Sequence, residues 1–208
     1  MRNWLPLCFA AAVFAAPVQA QYIFLDANRD QVCNSADVPP YEEGTIDVWL
    51  NTSEDAVGEP AVCPTGEELT LSSYEVVFGL VNITVTGWAN SRPEFAQSLG
   101  VLTAGRLAYV GFASGGSTQL PPGLYKLGTM STRSTGGCMQ VQIVPGAVFS
   151  GTRHDTQFYS QCLGLDGDYK MNLGQDFFDT CLVGNICDSA DDPSSSTWGK
   201  IKQRYLDK

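Results

Sequence analysis

The sequence predicts an all-β fold, an antiparallel two-sheet sandwich of about eight or nine strands. Short stretches in which apolar and polar residues alternate recur along the chain. Gly and Pro, which account for 21 and 11 of the 208 residues, punctuate the segments between those stretches. Before the C-terminal tail, no stretch shows a sustained helical period with caps. This combination favours packed sheets over helices.

The chain begins with the features of a secretory signal peptide. A positively charged start precedes an apolar run over residues 5–16, and a small-x-small cleavage pattern ends at Ala20. That run is too short to span a bilayer, and no later segment is apolar enough to do so. We therefore expect a secreted protein without membrane insertion. It comprises a sandwich domain over residues 21–187, then a polar linker and a basic amphipathic tail or short helix over residues 188–208.

The exported chain is strongly acidic. Cleavage removes one basic residue, Arg2, so 11 Lys and Arg remain against 22 Asp and Glu, a net charge of −11. Such a surface repels phosphate backbones, which argues against nucleic-acid and anionic-membrane partners. The same charge suits calcium binding and solubility.

Six of the seven cysteines remain after cleavage, and an even number in an exported chain predicts disulfides. No Cys-x-x-Cys pair is present, and His154, the single histidine, has no thiol at ligand spacing, so a zinc site is disfavoured. Six cysteines allow 15 pairings. Order and spacing favour these three: Cys33–Cys63, Cys138–Cys162 and Cys181–Cys187.

The best chemical signal is a 12-residue stretch over residues 26–37. Oxygen-bearing side chains occupy its positions 1, 3, 5, 9 and 12, the order in which an EF-hand loop presents ligands to Ca²⁺. Such a hard cation needs 6–8 oxygens, which a short loop supplies only if ligands recur at every second residue. An Asx-rich turn without a metal is the alternative. The predicted ligands are the side chains of Asp26, Asn28, Asp30 and Asp37, the backbone carbonyl of Val32, and Asn34 directly or through a water.

The same residues, DANRDQVCNSADV, resemble the calcium loop of dockerin modules, whose pattern is D-x-N-x-D-G-x-[hydrophobic]-N-x-x-D. Three departures separate the chain from a dockerin. Gln31 stands where the pattern has Gly, and Pro39 and Pro40 prevent a helix from starting directly after the loop. A second copy of the loop is absent from the sequence. We therefore expect a lone calcium loop between strands.

Alternation and β-branched or aromatic content predict strands over residues 22–25, 44–51, 69–79, 83–88, 106–113, 123–130 and 137–144. We expect the strand over residues 83–88 to form a hairpin with the strand before it, across Val81 and Asn82. A brief helical turn is expected over residues 92–99.

A second resemblance follows from these strands. The runs IDVWLN, LSSYEVVFGLVNITVTGW, RLAYVGFAS, LPPGLYKLGTMST and MQVQIV, within residues 45–144, are similar in order to the jelly-roll sandwich of cohesins and carbohydrate-binding modules. It rests on strand order and pattern. The resemblance implies a non-catalytic adhesive or scaffold role.

A sugar-binding face would need exposed aromatic rings, since pyranose rings stack on them. Trp49 and Trp88 fall on or near the outward phase of their strands, and Tyr109 and Tyr125 are candidates for one shared sheet face. These four are the candidate ligand-binding residues. The alternative is that they fill the sandwich core.

No catalytic residue is predicted. His154 and Asp155 are neighbours and would point to opposite faces of a strand, so His154 is interpreted as a surface-loop residue. We expect an exported, non-catalytic, calcium-binding module for an extracellular protein or glycan, of unknown oligomeric state. The alternatives are a structural surface or matrix component, and a glycoside hydrolase that uses two carboxylates from this set: Glu75, Glu94, Asp166 and Asp176.

Overall fold

The computed structural model describes residues 22–34, 37–40, 42–54, 58, 60–63, 67–115, 118–137, 139–160, 169–172 and 178–179, the last two ranges by their backbone alone. The predicted signal peptide and C-terminal tail lie outside the described residues, as do Cys138, Cys162, Cys181, Cys187, Asp166 and Asp176.

The described chain is folded into thirteen strands. In chain order these are β1 Tyr22–Asp26, β2 Glu43–Asn51, β3 Ser73–Val81, β4 Ile83–Asn90, β5 Gln97–Ala104, β6 Leu107–Ala113, β7 Leu124–Ser134, β8 Gln140–Val144, β9 Gly146–Phe149, β10 Thr152–Asp155, β11 Gln157–Ser160, β12 Tyr169–Asn172 and β13 Phe178–Asp179. None of the described residues is helical. The described residues therefore contain no helix that could cross a membrane.

Two large sheets carry the fold. One has five strands in the order β13-β1-β2-β7-β4, and the other has six, in the order β12-β11-β3-β6-β5 with β8 also paired to β3. Every pairing is antiparallel except that of β1 with β13. The strands β9 and β10 form a separate hairpin. The predicted all-β class and antiparallel sandwich are confirmed.

The core lies between the two sheets and follows the predicted alternation. Strand β2 buries Ile46, Val48 and Leu50, and β8 buries Val141 and Ile143. These side chains belong to one continuous apolar cluster. Each fully buried aliphatic side chain stabilises the fold by about 1.5–3 kcal/mol relative to leaving it in water.

The expected hairpin between residues 69–79 and 83–88 is wrong, because β4 pairs with β7 in the other sheet. Asn82 alone connects β3 to β4, with a φ of 53°. A two-residue hairpin loop needs two turn residues, so this single left-handed residue carries the chain across the core instead. Leu80 and Ile83, on either side of it, both enter the core cluster.

The expected helical turn over residues 92–99 is reduced to a single turn, closed by the hydrogen bond from the Phe95 N–H to the Arg92 carbonyl at 3.0 Å, since β5 begins at Gln97. Three short strands after residue 144, β9 to β11, were not predicted at all. Ser150 and Gly151 join β9 to β10 with φ values of 50° and 87°. Two successive positive φ values define the I′ turn that favours a tight hairpin, so the Ser-Gly pair was the available signal.

Candidate metal centre and binding face

The predicted metal loop leaves β1 at Asp26 and closes at Asp37, and both side chains are fully buried. Asp26 Oδ1 accepts the N–H of Arg29 at 2.5 Å, and its Oδ2 accepts the N–H of Gln31 at 3.0 Å. Asp37 Oδ1 accepts the N–H of Ala27 at 2.8 Å. The two carboxylates therefore point into the loop and order its backbone from both ends.

The middle of the loop is ordered by a polar network around Asp30. Its Oδ1 accepts the N–H of Val32 at 2.8 Å, while Asn28 Oδ1 accepts the N–H of Asp30 at 2.9 Å. The side-chain amides of Asn28 and Asn34 both donate to Asp30 Oδ2, at 3.0 and 2.8 Å. These hydrogen bonds favour the carboxylate and lower the pKa of Asp30.

Two residues of the loop adopt the left-handed conformation, Arg29 with a φ of 65° and Gln31 with a φ of 66°. Gln31 occupies the position at which the dockerin pattern has Gly. The loop thus takes the backbone shape for which that Gly is suited, at a cost of about 1 kcal/mol for a residue with a Cβ.

Negative charge accumulates inside the loop. Burial raises the pKa of Asp26 above its ordinary 3.8, and the nearby charges of Asp37 and Asp30 raise it further, against the lowering effect of its backbone hydrogen bonds. Burial and these neighbouring charges disfavour the ionised form of Asp26, and a bound cation would offset both effects.

The loop contains the oxygen donors that a hard divalent ion prefers, but these oxygens are engaged in hydrogen bonds. Among the described residues, no three His, Cys, Asp or Glu side chains are arranged to hold a metal ion as they stand. Asp30 Oδ2 accepts the amides of Asn28 and Asn34. Both amides would have to turn away before this oxygen could bind an ion. The oxygens of Asp26 and Asp37 likewise accept backbone N–H groups of the loop.

The structure describes two of the six cysteines in the predicted disulfides, Cys33 and Cys63, and both are disulfide-bonded. Cys63 is buried in the core cluster. Their predicted pairing with each other, and the pairing of the remaining four, stay predictions.

The four candidate aromatic residues do not form one exposed row. Trp49 stacks on the buried Phe24 with ring centroids 6.5 Å apart, and Trp88 packs against the core. Tyr109 is only 1% exposed and lies in the six-stranded sheet, whereas Tyr125 lies in the five-stranded sheet. The expectation that Tyr109 and Tyr125 share a sheet face is therefore wrong.

Tyr109 belongs to a polar cluster on the outer side of the six-stranded sheet. Its hydroxyl donates to Glu75 Oε2 at 2.7 Å, and Gln157 Nε2 donates to Glu75 Oε1 at 2.5 Å. Burial and the neighbouring Glu75 carboxylate both raise the pKa of Tyr109. The ring of His154 lies 4.0 Å from that of Tyr109, centroid to centroid. His154 is thus a half-buried residue of strand β10, and its interpretation as a surface-loop residue is wrong.

The hairpin of β9 and β10 covers part of this sheet. Phe149 packs on Val77 and Tyr109 in a second, smaller apolar cluster. Gly111 makes the arrangement possible, because a Cβ there would collide with the Tyr109 hydroxyl. The outer surface of the hairpin presents Val148, which is 58% exposed.

Other exposed residues on the outer side of this sheet and its hairpin are Leu102, Gln140, Gln142 and Val148, together called the neutral face below. None of the four carries a charge. Arg153 lies directly opposite Val148, and therefore on the same side of the hairpin, where it forms an ion pair of 2.8 Å with Asp155. The neutral face with this ion pair has no net charge, on an acidic protein. Gln140 and Gln142 alternate with the buried Val141 and Ile143, which sets their outward orientation.

Of the carboxylates considered for hydrolysis, two lie among the described residues. Both oxygens of Glu75 accept hydrogen bonds, as described above. Glu94 forms an ion pair with Arg92 at 3.0 Å.

No known family profile matches this chain, and no curated protein sequence matches it. Among solved structures, it is similar to a non-cellulosomal cohesin from the hyperthermophilic archaeon Archaeoglobus fulgidus. The match has a TM-score of 0.35 and 14% sequence identity, and it covers 60% of this chain and 77% of that one.

Proposed function

We propose that this chain is a secreted, non-catalytic binding module whose neutral face binds an extracellular protein and whose N-terminal loop holds one Ca²⁺ ion. The signal peptide in the sequence supports export. The single observation that carries the binding proposal is the uncharged, partly apolar neutral face on a chain with a net charge of −11 after signal cleavage.

The composition of the neutral face suits a protein partner. The centres of protein–protein interfaces are depleted in charged residues and enriched in apolar ones. Leu102 and Val148 supply exposed apolar area, and the amides of Gln140 and Gln142 each supply hydrogen-bond donors and acceptors. The sheet beneath is held by the buried Tyr109–Glu75 hydrogen bond, so the face is preorganised.

A glycan is the second candidate, and the placement of the aromatic residues favours it less. The indole nitrogens of Trp49 and Trp88 are both buried. A pyranose ring could not stack on Tyr109, which is almost fully buried. A hydrolase would need an accessible pair of carboxylates about 5–10 Å apart. Glu75 is instead engaged through both of its oxygens.

The proposed ion would be held by the carboxylates of Asp26, Asp30 and Asp37, with Asn28 and Asn34 as further oxygen ligands. Its role would be structural: its two positive charges would offset most of the negative charge of the three carboxylates, and it would tie the end of β1 to the segment that leads into β2. An ion that binds only the folded state stabilises that state by mass action.

The binding proposal is tested by comparing matched charge substitutions. The chain is immobilised and exposed to the secreted proteins of its source organism, and a captured protein is then purified and titrated directly. The double variant Gln142→Glu, Val148→Glu places two carboxylates on the neutral face. The control, Leu124→Glu, changes a residue 39% exposed at the start of β7, in the other sheet.

We expect the neutral-face variant to weaken binding at least about tenfold, or 1.4 kcal/mol, while the control leaves it unchanged. Equal affinities for all three proteins would contradict the proposal. So would specific binding to a glycan array with no protein captured.

A further inference from the structure

The last strand of the six-stranded sheet, β5, has an unusual surface. It pairs with β6 and with no other strand among the described residues. Its eight residues, QSLGVLTA, contain no charge, and none of them is buried. The exposed apolar side chains are Leu99, Val101 and Leu102, at 42%, 46% and 38%.

The inward-facing side of β5 is uncovered as well as its outer side. Val101 lies opposite Val110, which is in the core and only 1% exposed, so Val101 points toward the interior of the sandwich. It is nevertheless nearly half exposed. Leu102 lies opposite Tyr109 and therefore projects from the outer side. In the described part of the chain, strand β5 extends past the cover of the opposite sheet and offers both an unpaired backbone edge and apolar side chains.

Natural sheets protect such edges with charged residues, with Pro, or by covering them. The edge of the other sheet, β4, buries Ile83 and packs Trp88 against the core. Strand β5 contains no charged residue and no Pro, and no strand among the described residues covers its edge; its one protective device is a bulge at residues 98–100. An unprotected edge of this kind is a template for another strand.

We infer that β5 pairs in antiparallel fashion with β5 of a second copy of this chain, around a two-fold axis at Val101. Directly opposed residues in antiparallel strands share a face, so the uncovered Val101 side chains of the two copies meet. The same register places Leu102 opposite the partner's Gly100, which has no side chain to obstruct it. The two six-stranded sheets become one continuous sheet.

The register of the strand favours a second copy over an unrelated strand, because Val101 meets its own counterpart and Leu102 lies over a glycine. No charge lies within β5, and Arg92 and Glu94 before it compensate each other in an ion pair of 3.0 Å. The net charge of each chain opposes association, so the dimer should tighten as salt screens that repulsion. This inference is independent of the calcium site and shares Leu102 with the neutral face.

Sedimentation equilibrium of the purified chain tests the inference at concentrations up to about 1 mM, where weak specific association is detectable. We expect a monomer–dimer equilibrium that shifts toward dimer as the salt concentration rises. Val101→Lys should weaken it at least about tenfold, because two like charges would lie directly opposite each other. The control Val148→Lys adds the same charge at an exposed residue outside β5 and should leave the equilibrium unchanged.

A covalent test fixes the register. Opposed residues have Cβ atoms about 4.5–5.5 Å apart, near the range that a disulfide spans. Val101→Cys should therefore yield a disulfide-linked dimer on mild oxidation, seen on non-reducing gels, whereas Val148→Cys should not. A chain that stays monomeric at every concentration and salt level, or equal cross-linking at the two positions, overturns the inference.

Discussion

Asp26 and Asp37 close the same loop from its two ends. Asp37 Oδ1 accepts the N–H of Ala27, the residue that follows Asp26, at 2.8 Å, and its charge helps to raise the pKa of Asp26. Both side chains are fully buried. The two like charges repel each other, and a divalent cation bound between them would offset that repulsion.

The first prediction concerns thermal stability. Calcium at about 100 times its dissociation constant should stabilise the fold by about 2.7 kcal/mol. For a chain of this size that is a rise in Tm of roughly 5–10 °C. Differential scanning calorimetry with and without a chelator measures it. Asp37→Asn should abolish the rise in Tm. Asp47→Asn is the control and should retain it, because Asp47 is a buried carboxylate that lies outside the loop and bonds Lys126. An equal rise in both variants would place the ion elsewhere.

The second prediction is a pH dependence that changes sign with calcium. Folding raises the pKa of Asp26 above 3.8, so protonation of Asp26 stabilises the folded state when no calcium is bound. This stabilisation is lost as the pH rises from 3.8 through the raised pKa. With calcium the ion requires the carboxylate, so the calcium increment is lost as pH falls through that same range. Melting curves of the wild type should show these two opposite pH dependences, without and with calcium, and those of Asp26→Asn should not. Parallel curves, with and without calcium, would refute it.

The third prediction concerns the Tyr109–Glu75 hydrogen bond. Tyr109→Phe removes the hydroxyl and leaves a buried carboxylate oxygen without that donor, at a cost of about 1–3 kcal/mol. Urea unfolding measures the change. Tyr125→Phe is the control, since its hydroxyl is at an exposed site where water replaces the bond to Pro121. Equal costs for the two variants would show that burial at Tyr109 does not matter.

The fourth prediction is that Gly111→Ala destabilises the protein, against the usual gain when Ala replaces Gly in a strand. The new Cβ would collide with the Tyr109 hydroxyl and displace it from Glu75. We expect a loss of about 1–3 kcal/mol by urea unfolding. Gly115→Ala, where a Cβ meets nothing within 4 Å, should be close to neutral. A stabilised Gly111→Ala would mean that Tyr109 moves aside without cost.

How far the sequence predicted this structure depended on whether a strand has a buried face. Ile46 and Val48 in β2, like Val141 and Ile143 in β8, alternate because one side enters the core. Strand β5 was missed because both of its faces are exposed, so its sequence carries no alternation.

The candidate site could be predicted from the sequence only in part, for a similar reason. The spacing of carboxylates over residues 26–37 is local, so the sequence carries it. The cluster of Glu75, Tyr109 and His154 joins three strands through pairings far apart in the chain, and no local pattern marks it. Gln140 and Gln142 alternate with buried residues of β8, but the neutral face they help to form depends on the neighbouring strands.

Calorimetric titration with Ca²⁺ tests the central claim most directly. The wild-type chain and the double variant Asp26→Ala, Asp30→Ala would be titrated under the same conditions at neutral pH. We expect one ion bound per wild-type chain and none by the variant, with circular dichroism confirming that both are folded. Titration of the wild type without binding, or binding that the double substitution leaves unchanged, would contradict the account.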